Sequence, residues 1–500
     1  MELLLGLLLG LLGLLGLYWA RALHPSSPGR LARALHPGPR WPPGPRPLPL
    51  VGNLHLLDLG QLDRSLMELA ERHGAVFTVH LGLQKTVVLT GIEAVQTALT
   101  GTGQELADRP PIPIFQLIQG GRGIFFSSGP RWRMARHFTV RTLHHLGMGR
   151  APADHKVLTE LEWLVEQLDS YGGRPFPLAQ LGWAPCNITF TLLFGQRFDY
   201  QDPVFASLLT LIDEVMVLLG SPRLQMFNIF PWLGALLQLH RPVQRKIEEV
   251  RAILETLLEM RRKHMRQGGP VQGYVDALIQ QGQEGDPPGP FSEADMVACT
   301  LDMVMAGTET TSATLQWAVL LMGQHPDIQG RMQAELDHVL GPRTPRATDQ
   351  AALPYTSAVL HEVQRYITLL PHVPRCTAAP TRLGTYLLPK GTPVIPLLAS
   401  VLLDKTQWET PDQFNPGHFL DVDGQFVKRA AFLPFSAGAR VCIGARLART
   451  ELFLFFTGLF QRFRLQPPPG VPLASLDTAP APAFTMRPPA QTLCAVRRRR

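Results

Sequence analysis

The chain has 500 residues, 45% of them hydrophobic and 17% charged, which excludes a mostly disordered protein and leaves room for a large core. A formal net charge of +7, from 47 Lys and Arg against 40 Asp and Glu, is spread along the chain rather than gathered into a basic stripe with interleaved aromatics. That distribution argues against a nucleic-acid partner and suits an acidic protein or an anionic lipid surface. The five cysteines (Cys186, Cys299, Cys376, Cys442, Cys494) are odd in number and never form a CxxC pair, which argues against a disulfide framework and a tetrathiolate zinc site.

Leu3 to Ala20 carries no charge and is just long enough to cross a hydrocarbon core about 30 Å thick, with Tyr18 and Trp19 at its end as interface residues. It reads as an uncleaved membrane anchor (residues 1–20). The alternative is a signal peptide cleaved at the A-x-A-like Ala20-Arg21-Ala22, although Met1-Glu2 supplies no basic flank. Arg21, Arg30, Arg33, Arg40 and Arg46 follow, so the positive-inside rule keeps the body cytoplasmic, on the endoplasmic reticulum surface. Asn187-Ile188-Thr189 is a glycosylation acceptor pattern that matters only for a luminal body, and such tripeptides also arise by chance. Residues 21–53 read as a basic, proline-rich linker: "ARALHP" occurs twice, and "WPPGPRPLPLVGN" (Trp41 to Asn53) favours stiff extended chain.

From residue 54 the chain reads as one catalytic domain, 54–500. Apolar residues recur mostly at helical spacing, as in "ILETLLEMRRKHM" and "ELFLFFTGLFQRF", with short strand-like runs such as "VFTVHLG" and "KTVVLTG", so the expected fold is mainly α with small β-sheets. A polar loop at Gly282 to Pro290 precedes Ser292, an N-cap with Asp295 three residues on, and a long apolar helix follows.

Four motifs carry the chemistry. In "RWRMARHF" Trp132 and Arg136 lie one turn apart, so an indole donor and a guanidinium can grip a carboxylate together. "AGTETT" (Ala306 to Thr311) puts glycine and β-branched threonines inside a long helix. Either a flat ligand approaches the face of Ala306 and Thr310, or the hydroxyls back-bond to carbonyls and bend the helix. "HEVQR" fails as a zinc motif because Arg365 stands at the second histidine position, leaving Glu362 and Arg365 as an i,i+3 ion pair. "FSAGARVCIG" (Phe435 to Gly444) sets a lone cysteine, Cys442, among glycines and Arg440.

In this order the motifs WxxxR, AGxxTT, ExxR and FxxGxRxCxG resemble the haem-thiolate monooxygenases, the cytochrome P-450 family. The similarity runs over essentially the whole chain and is strongest to the microsomal family 2, its subfamily W. The resemblance implies the cytochrome P-450 fold, with haem b between a long distal helix and a proximal cysteine loop, and Cys442 as the axial ligand to iron. It implies that Phe435, Gly438 and Gly444 shape the thiolate loop, that glycine lets backbone approach the porphyrin, and that Trp132, Arg136, Arg440, Arg109 and Arg375 hold the propionates. Glu362, Arg365 and His418 form the structural clamp, although relatives commonly carry arginine at the last position. Ala445, where many relatives are polar, alters the proximal face.

It further implies that Ala306 and Gly307 leave room above the iron, and that Thr310 and Glu309 pass protons to the distal face. Phe115, Met305, Ala306, Leu370, Val373 and Phe484 line an apolar pocket for a lipid, a retinoid, an indole-like aromatic or a foreign compound. Two electrons come from NADPH through a membrane-bound cytochrome P-450 reductase, with cytochrome b5 as a second partner, drawn by Arg131, Arg133, Lys428, Arg429, Arg446 and Arg449. O2 is the co-substrate. The rivals are a haem-thiolate isomerase of peroxides and a membrane-anchored haem binder without turnover.

Overall fold

A computed structural model of the chain describes residues 40–498 apart from 103, 149–150, 284–290 and 482. The apolar run Leu3 to Ala20, the basic stretch up to residue 39 and most of the loop before Ser292 therefore lie outside the described residues. The remainder is mainly helical with small sheets, as the apolar periodicity requires.

The sheet that serves the site has four strands, β1 (Val76–Leu81), β2 (Gln84–Leu89), β3 (Arg375–Cys376) and β4 (Pro393–Pro396), in the order β1-β2-β4-β3. β1 and β2 form an antiparallel hairpin, β2 runs parallel to β4 with Val88 opposite Ile395, and β3 pairs Arg375 with Val394. The proline-rich end of the segment read as a stiff, extended linker lies along this sheet. Thr78 donates its amide to Pro43 O (2.7 Å) and its hydroxyl to Pro42 O (3.0 Å), and Lys85 sits 3.8 Å over the Trp41 ring. A Cβ at Gly44 would fall 1.9 Å from Thr78 O, so this glycine is what permits the contact. Prolines cannot complete a ladder, but their carbonyls still accept, so the stretch from Arg40 onward belongs to the folded body.

Eight of the core helices position the site: α1 (Gly129–His145), α2 (Ala151–Asp169), α3 (Trp183–Phe194), α4 (Pro203–Gly220), α5 (Arg241–Arg266), α6 (Glu293–Gln324), α7 (Pro354–Ile367) and α8 (Ala445–Arg462). α6 runs through the centre for 32 residues and starts at a capping box: Ser292 Oγ accepts from Asp295 N, and the Asp295 carboxylate accepts from Ser292 N, both at 3.2 Å. Its two ends belong to different cores. Met296 to Val304 packs with α3, α4 and α5, whereas Leu315 to Met322 packs with α2, α7 and α8. The polar stretch between them, which includes "AGTETT", joins neither cluster.

Within that stretch the hydroxyls do back-bond: Thr310 to Ala306 O (2.9 Å), Ser312 to Thr308 O (2.5 Å) and Thr314 to Thr310 O (2.8 Å). Gly307 corrects an expectation. A Cβ there would meet Thr189 on α3, 2.6 Å from Oγ1 and 2.8 Å from Cγ2, because residue 307 points about 100° around the helix from Ala306. Its smallness lets α3 and α6 pack closely and opens no space on the Ala306 face.

The Asn187 acceptor tripeptide also lies inside, on α3. Asn187 is 0% exposed, and its amide donates to Phe198 O (2.8 Å) and Glu160 Oε1 (3.2 Å). A sugar on that nitrogen would cost both bonds and the packing around them.

Gly307→Ala is expected to lower the unfolding free energy by about 1–3 kcal/mol, the usual cost of overpacking. Adding Thr189→Ala should recover part of that loss in urea titrations. If the two substitutions are simply additive, the contact does not explain the glycine.

Candidate functional site

Cys442 is the single exposed cysteine of the five; the others are buried. Its loop is pinned from several sides. Cys442 N donates to Phe435 O (3.1 Å), Arg136 Nη2 to Val441 O (2.7 Å) and Arg375 Nη2 to Ser436 Oγ (3.1 Å). Ser436 holds φ +61°, costly for a residue with a Cβ and sustained here by that anchoring. α8 begins at Ala445, so the sulfur faces the amides of Gly444 and Ala445 at a helix N-terminus. Burial pushes the Cys442 thiol up, while those amides and the Arg136 and Arg449 charges pull it toward the thiolate.

The two glycines of the motif do different work. Gly438 has φ +73°, and a Cβ there would fall 1.8 Å from Leu99 O, so it fits a protein backbone rather than approaching a porphyrin. A Cβ at Gly444 would meet nothing within 4 Å, which leaves the face beside the sulfur open to a flat ligand.

Next to this loop four arginines converge. β3 carries Arg375, the backbone bond from Cys376 N to Asp108 O brings Arg109 alongside, and Arg136 and Arg440 reach in from α1 and the cysteine loop. None of the four forms an ion pair with a carboxylate of the described residues. Burial pushes the Arg109 guanidinium well below its ordinary value, and Arg375, Arg440 and Arg136 push it further. Burial, with neighbouring guanidiniums adding to it, takes Arg375 down to about 10 and Arg440 to about 9. Such a field calls for an anion.

Spare donors are available to it. Trp132 is 5% exposed with no partner for Nε1, and Arg375 Nη1 is likewise unpartnered. Arg440 instead commits its donors to the carbonyls of Ala107, Ile124, Phe125 and Ser127, and stacks 3.8 Å over Trp132. Arg109 gives Nε to Phe125 O (2.9 Å) and Nη1 to Pro374 O (2.6 Å). Two of the expected gripping arginines thus supply charge while also bracing residues 107 and 124–127. A buried double carboxylate such as the haem propionates fits this set, and an apolar ligand edge would not.

Ala306 is exposed and Thr310 half-buried, one turn apart on one face of α6. Glu309, expected to pass protons with Thr310, is held elsewhere in this structure. Glu309 is 5% exposed, and its Oε1 accepts from Thr485 Oγ1 (2.6 Å) and Arg487 Nε (3.2 Å). The reason is again the rotation of about 100° per residue, which sends neighbours on a helix to different faces. Phe115 stacks on Phe126 with centroids 3.4 Å apart and meets Phe484 edge-on at 6.4 Å, so two expected pocket residues from distant segments do come together. Met305, Leu370 and Val373 are half-buried.

The clamp is buried on every side. Arg365 grips Glu362 through two 2.7 Å bonds and donates to the carbonyls of Leu402, Pro411 and Gln413. His418 Nδ1 lies 3.2 Å from Glu362 Oε2, while its Nε2 accepts from Thr410 N, which fixes the proton on Nδ1. Glu362 also accepts from Asn415 N (2.8 Å). Removing one partner from such a pair costs about 3–5 kcal/mol.

Sequence reasoning missed three groups. Asp302 accepts from Ile124 N (2.6 Å), Phe125 N (2.9 Å) and Gln119 Nε2 (2.8 Å), fixing the loop that carries Phe126; its signal was a lone carboxylate in the apolar half of α6. His372, with Nδ1 unpartnered, sits in a stretch read only as apolar lining. Arg487 left no sequence signal, since Glu309 lies far from it along the chain.

The family described as Cytochrome P450 matches residues 42–495. The chain is 76% identical over 499 residues to human Cytochrome P450 2W1, covering 100% of both chains. It is 73% identical over 461 residues to the mouse protein of that name, covering 92% of this chain and 94% of that one. Against zebrafish Cytochrome P450 2K6 it is 42% identical over 457 residues, covering 90% of each. A cysteine loop beside a cluster of arginines without carboxylate partners and a hydroxyl-bearing central helix therefore have their explanation in descent: the chain belongs to the cytochrome P450 family, in family 2 and subfamily W, monooxygenases that use haem b, O2 and electrons from NADPH through a reductase.

Proposed function

We propose that Cys442 is the axial ligand through which this enzyme oxidises a lipophilic substrate, with Trp132, Arg136, Arg375, Arg109 and Arg440 holding the haem carboxylates. The observation that carries this reading is the exposed thiol beside three buried guanidiniums, Arg109, Arg375 and Arg440, and the half-buried Arg136, none with a carboxylate partner among the described residues. Haem bound through a thiolate supplies an electron-rich iron able to cleave O2 and oxidise an unactivated C–H bond.

The chain does the rest. The amides of Gly444 and Ala445 hold the sulfur's charge, and the anchoring of Ser436 and Val441 fixes its direction. Trp132 Nε1 and Arg375 Nη1 are the free donors for the carboxylates, and Arg440 and Arg109 provide the field. On the distal side Thr310 holds its hydroxyl at Ala306 O, one rotation from presenting a proton across the face that Ala306 leaves open. Phe115, Phe126 and Phe484 wall an apolar pocket suited to a lipid, a retinoid or an aromatic foreign compound.

Arg131, Arg133, Lys428, Arg429, Arg446 and Arg449 are all exposed and form the proposed docking face for the reductase and for cytochrome b5. Microsomal kinship places the protein at the endoplasmic reticulum membrane. The proposed bilayer contacts are the anchor at residues 1–20 and an exposed apolar edge of Leu50, Val51, Leu83, Trp232, Leu236 and Leu237. Gly82 beside Leu83 lies against Ile229 and Phe230, which brings the hairpin tip and the Trp232 helix together. The body is proposed to face the cytoplasm, after the linker at 21–39. An endoglycosidase-sensitive mobility shift of the expressed protein would reverse that orientation, and none is expected.

Cys442→Ala should lose the carbon monoxide difference band of a thiolate-ligated haem; a retained band removes Cys442 from the iron. Thr310→Ala should bind haem normally and divert NADPH to peroxide, with product per NADPH falling about 10-fold or more, as for loss of a positioned proton donor. An unchanged ratio would exclude the hydroxyl from proton delivery. Dependence of product on NADPH and O2 separates this reading from a peroxide isomerase and from a binder without turnover.

A further inference from the structure

A chain of charges not used above crosses from the surface to the distal helix. Asp213 stands on α4 with its side chain 52% exposed and pairs with Arg487 Nη2, while Arg487 Nε reaches Glu309 on α6 at 3.2 Å. The same Glu309 oxygen accepts from Thr485 Oγ1. The loop that bears Thr485 and Arg487 is fastened to α4: Phe484 N donates to Met216 O (2.9 Å), and a Cβ at Gly220 would fall 2.0 Å from the Ala483 carbonyl carbon. Phe484 itself meets Phe115 in the pocket, and Met486 O accepts from Trp317 Nε1 on α6 (2.7 Å). One loop therefore touches α4, the pocket wall and the distal helix.

We propose that Arg487 is a positioning residue that ties the seating of α4 over bound substrate to the readiness of Glu309 to exchange a proton beside Thr310. The two ends of the clasp are unequal. The Asp213 end is solvated and weak, the Glu309 end enclosed and strong, so Arg487 stays with Glu309 when α4 moves. Burial raises the proton affinity of Glu309, Arg487 and Thr485 oppose it, and Asp213 adds to it. The Cys186 thiol on α3 also lies within the field of Glu309.

With α4 seated, Asp213 shares the guanidinium and its hold on Glu309 relaxes, so the carboxyl takes up a proton from water, swings away from Arg487 and Thr485 toward the Thr310 face, and gives the proton up there. With α4 displaced, the whole guanidinium charge falls on Glu309, which stays an ionised partner and passes nothing. Closure over substrate thus licenses proton supply and limits peroxide waste.

This inference rests on the Thr310 reading, and the test separates the two. In holoenzyme reconstituted with reductase, product per NADPH is measured across pH with an alkoxycoumarin probe. Asp213→Asn should lower that ratio about two- to fivefold near neutral pH, the size of effect an exposed ion pair exerts. It should also move the pH profile toward acid and leave haem content unchanged. In a Glu309→Gln background the same substitution should change nothing. An unaltered ratio and profile for Asp213→Asn, or an equal loss in the Glu309→Gln background, would overturn the proposal, the latter assigning the effect to α4 packing. Failure of Thr310→Ala to uncouple would instead strike the Thr310 reading.

Discussion

Enclosing an unpaired cation costs several kcal/mol even after relaxation, and this fold encloses three in one place with a fourth half-buried beside them. Arg109, Arg136, Arg375 and Arg440 come from four separate segments; Arg136 lowers the proton affinity of the other three, and Arg375 and Arg440 add to the effect on Arg109. A chain that only had to fold would replace them with apolar groups. Their convergence makes sense as the counterpart of a doubly charged ligand edge, and the short strand β3 and the bracing of residues 124–127 by Arg440 serve to hold them there.

The central helix shows how one element carries both stability and chemistry. α6 is anchored in separate apolar cores at its two ends, and the stretch between packs through small and hydroxyl-bearing residues instead. Ala306 and Thr310 share one face, Gly307 admits α3, and Glu309 turns to the C-terminal loop. Positions within five residues thus meet three surroundings, because a helix turns by about 100° at every step.

This rotation explains where motif reading succeeded and where it failed. The spacing of Ala306 and Thr310, the i,i+3 pair of Glu362 and Arg365, the capping box at Ser292 and the WxxxR pair are local relations fixed by helical geometry, so they were legible. Gly307 and Gly438 looked like ligand-facing glycines because nothing local reveals which neighbour a missing Cβ admits; the answers, Thr189 and Leu99, lie in other segments. Asn187 fits a glycosylation pattern by sequence yet spends its amide on Glu160 and Phe198.

The sequence by itself determined the helical architecture and the family to which the chain belongs, because residue type and short-range spacing suffice for these. Only the tertiary structure decided which arginines keep donors free, that His418 joins the clamp through Nδ1, and that Glu309 answers to Arg487 and Asp213. Those relations connect residues that are remote along the chain. They depend on the directions in which side chains leave packed elements, and one-dimensional order does not encode those directions locally.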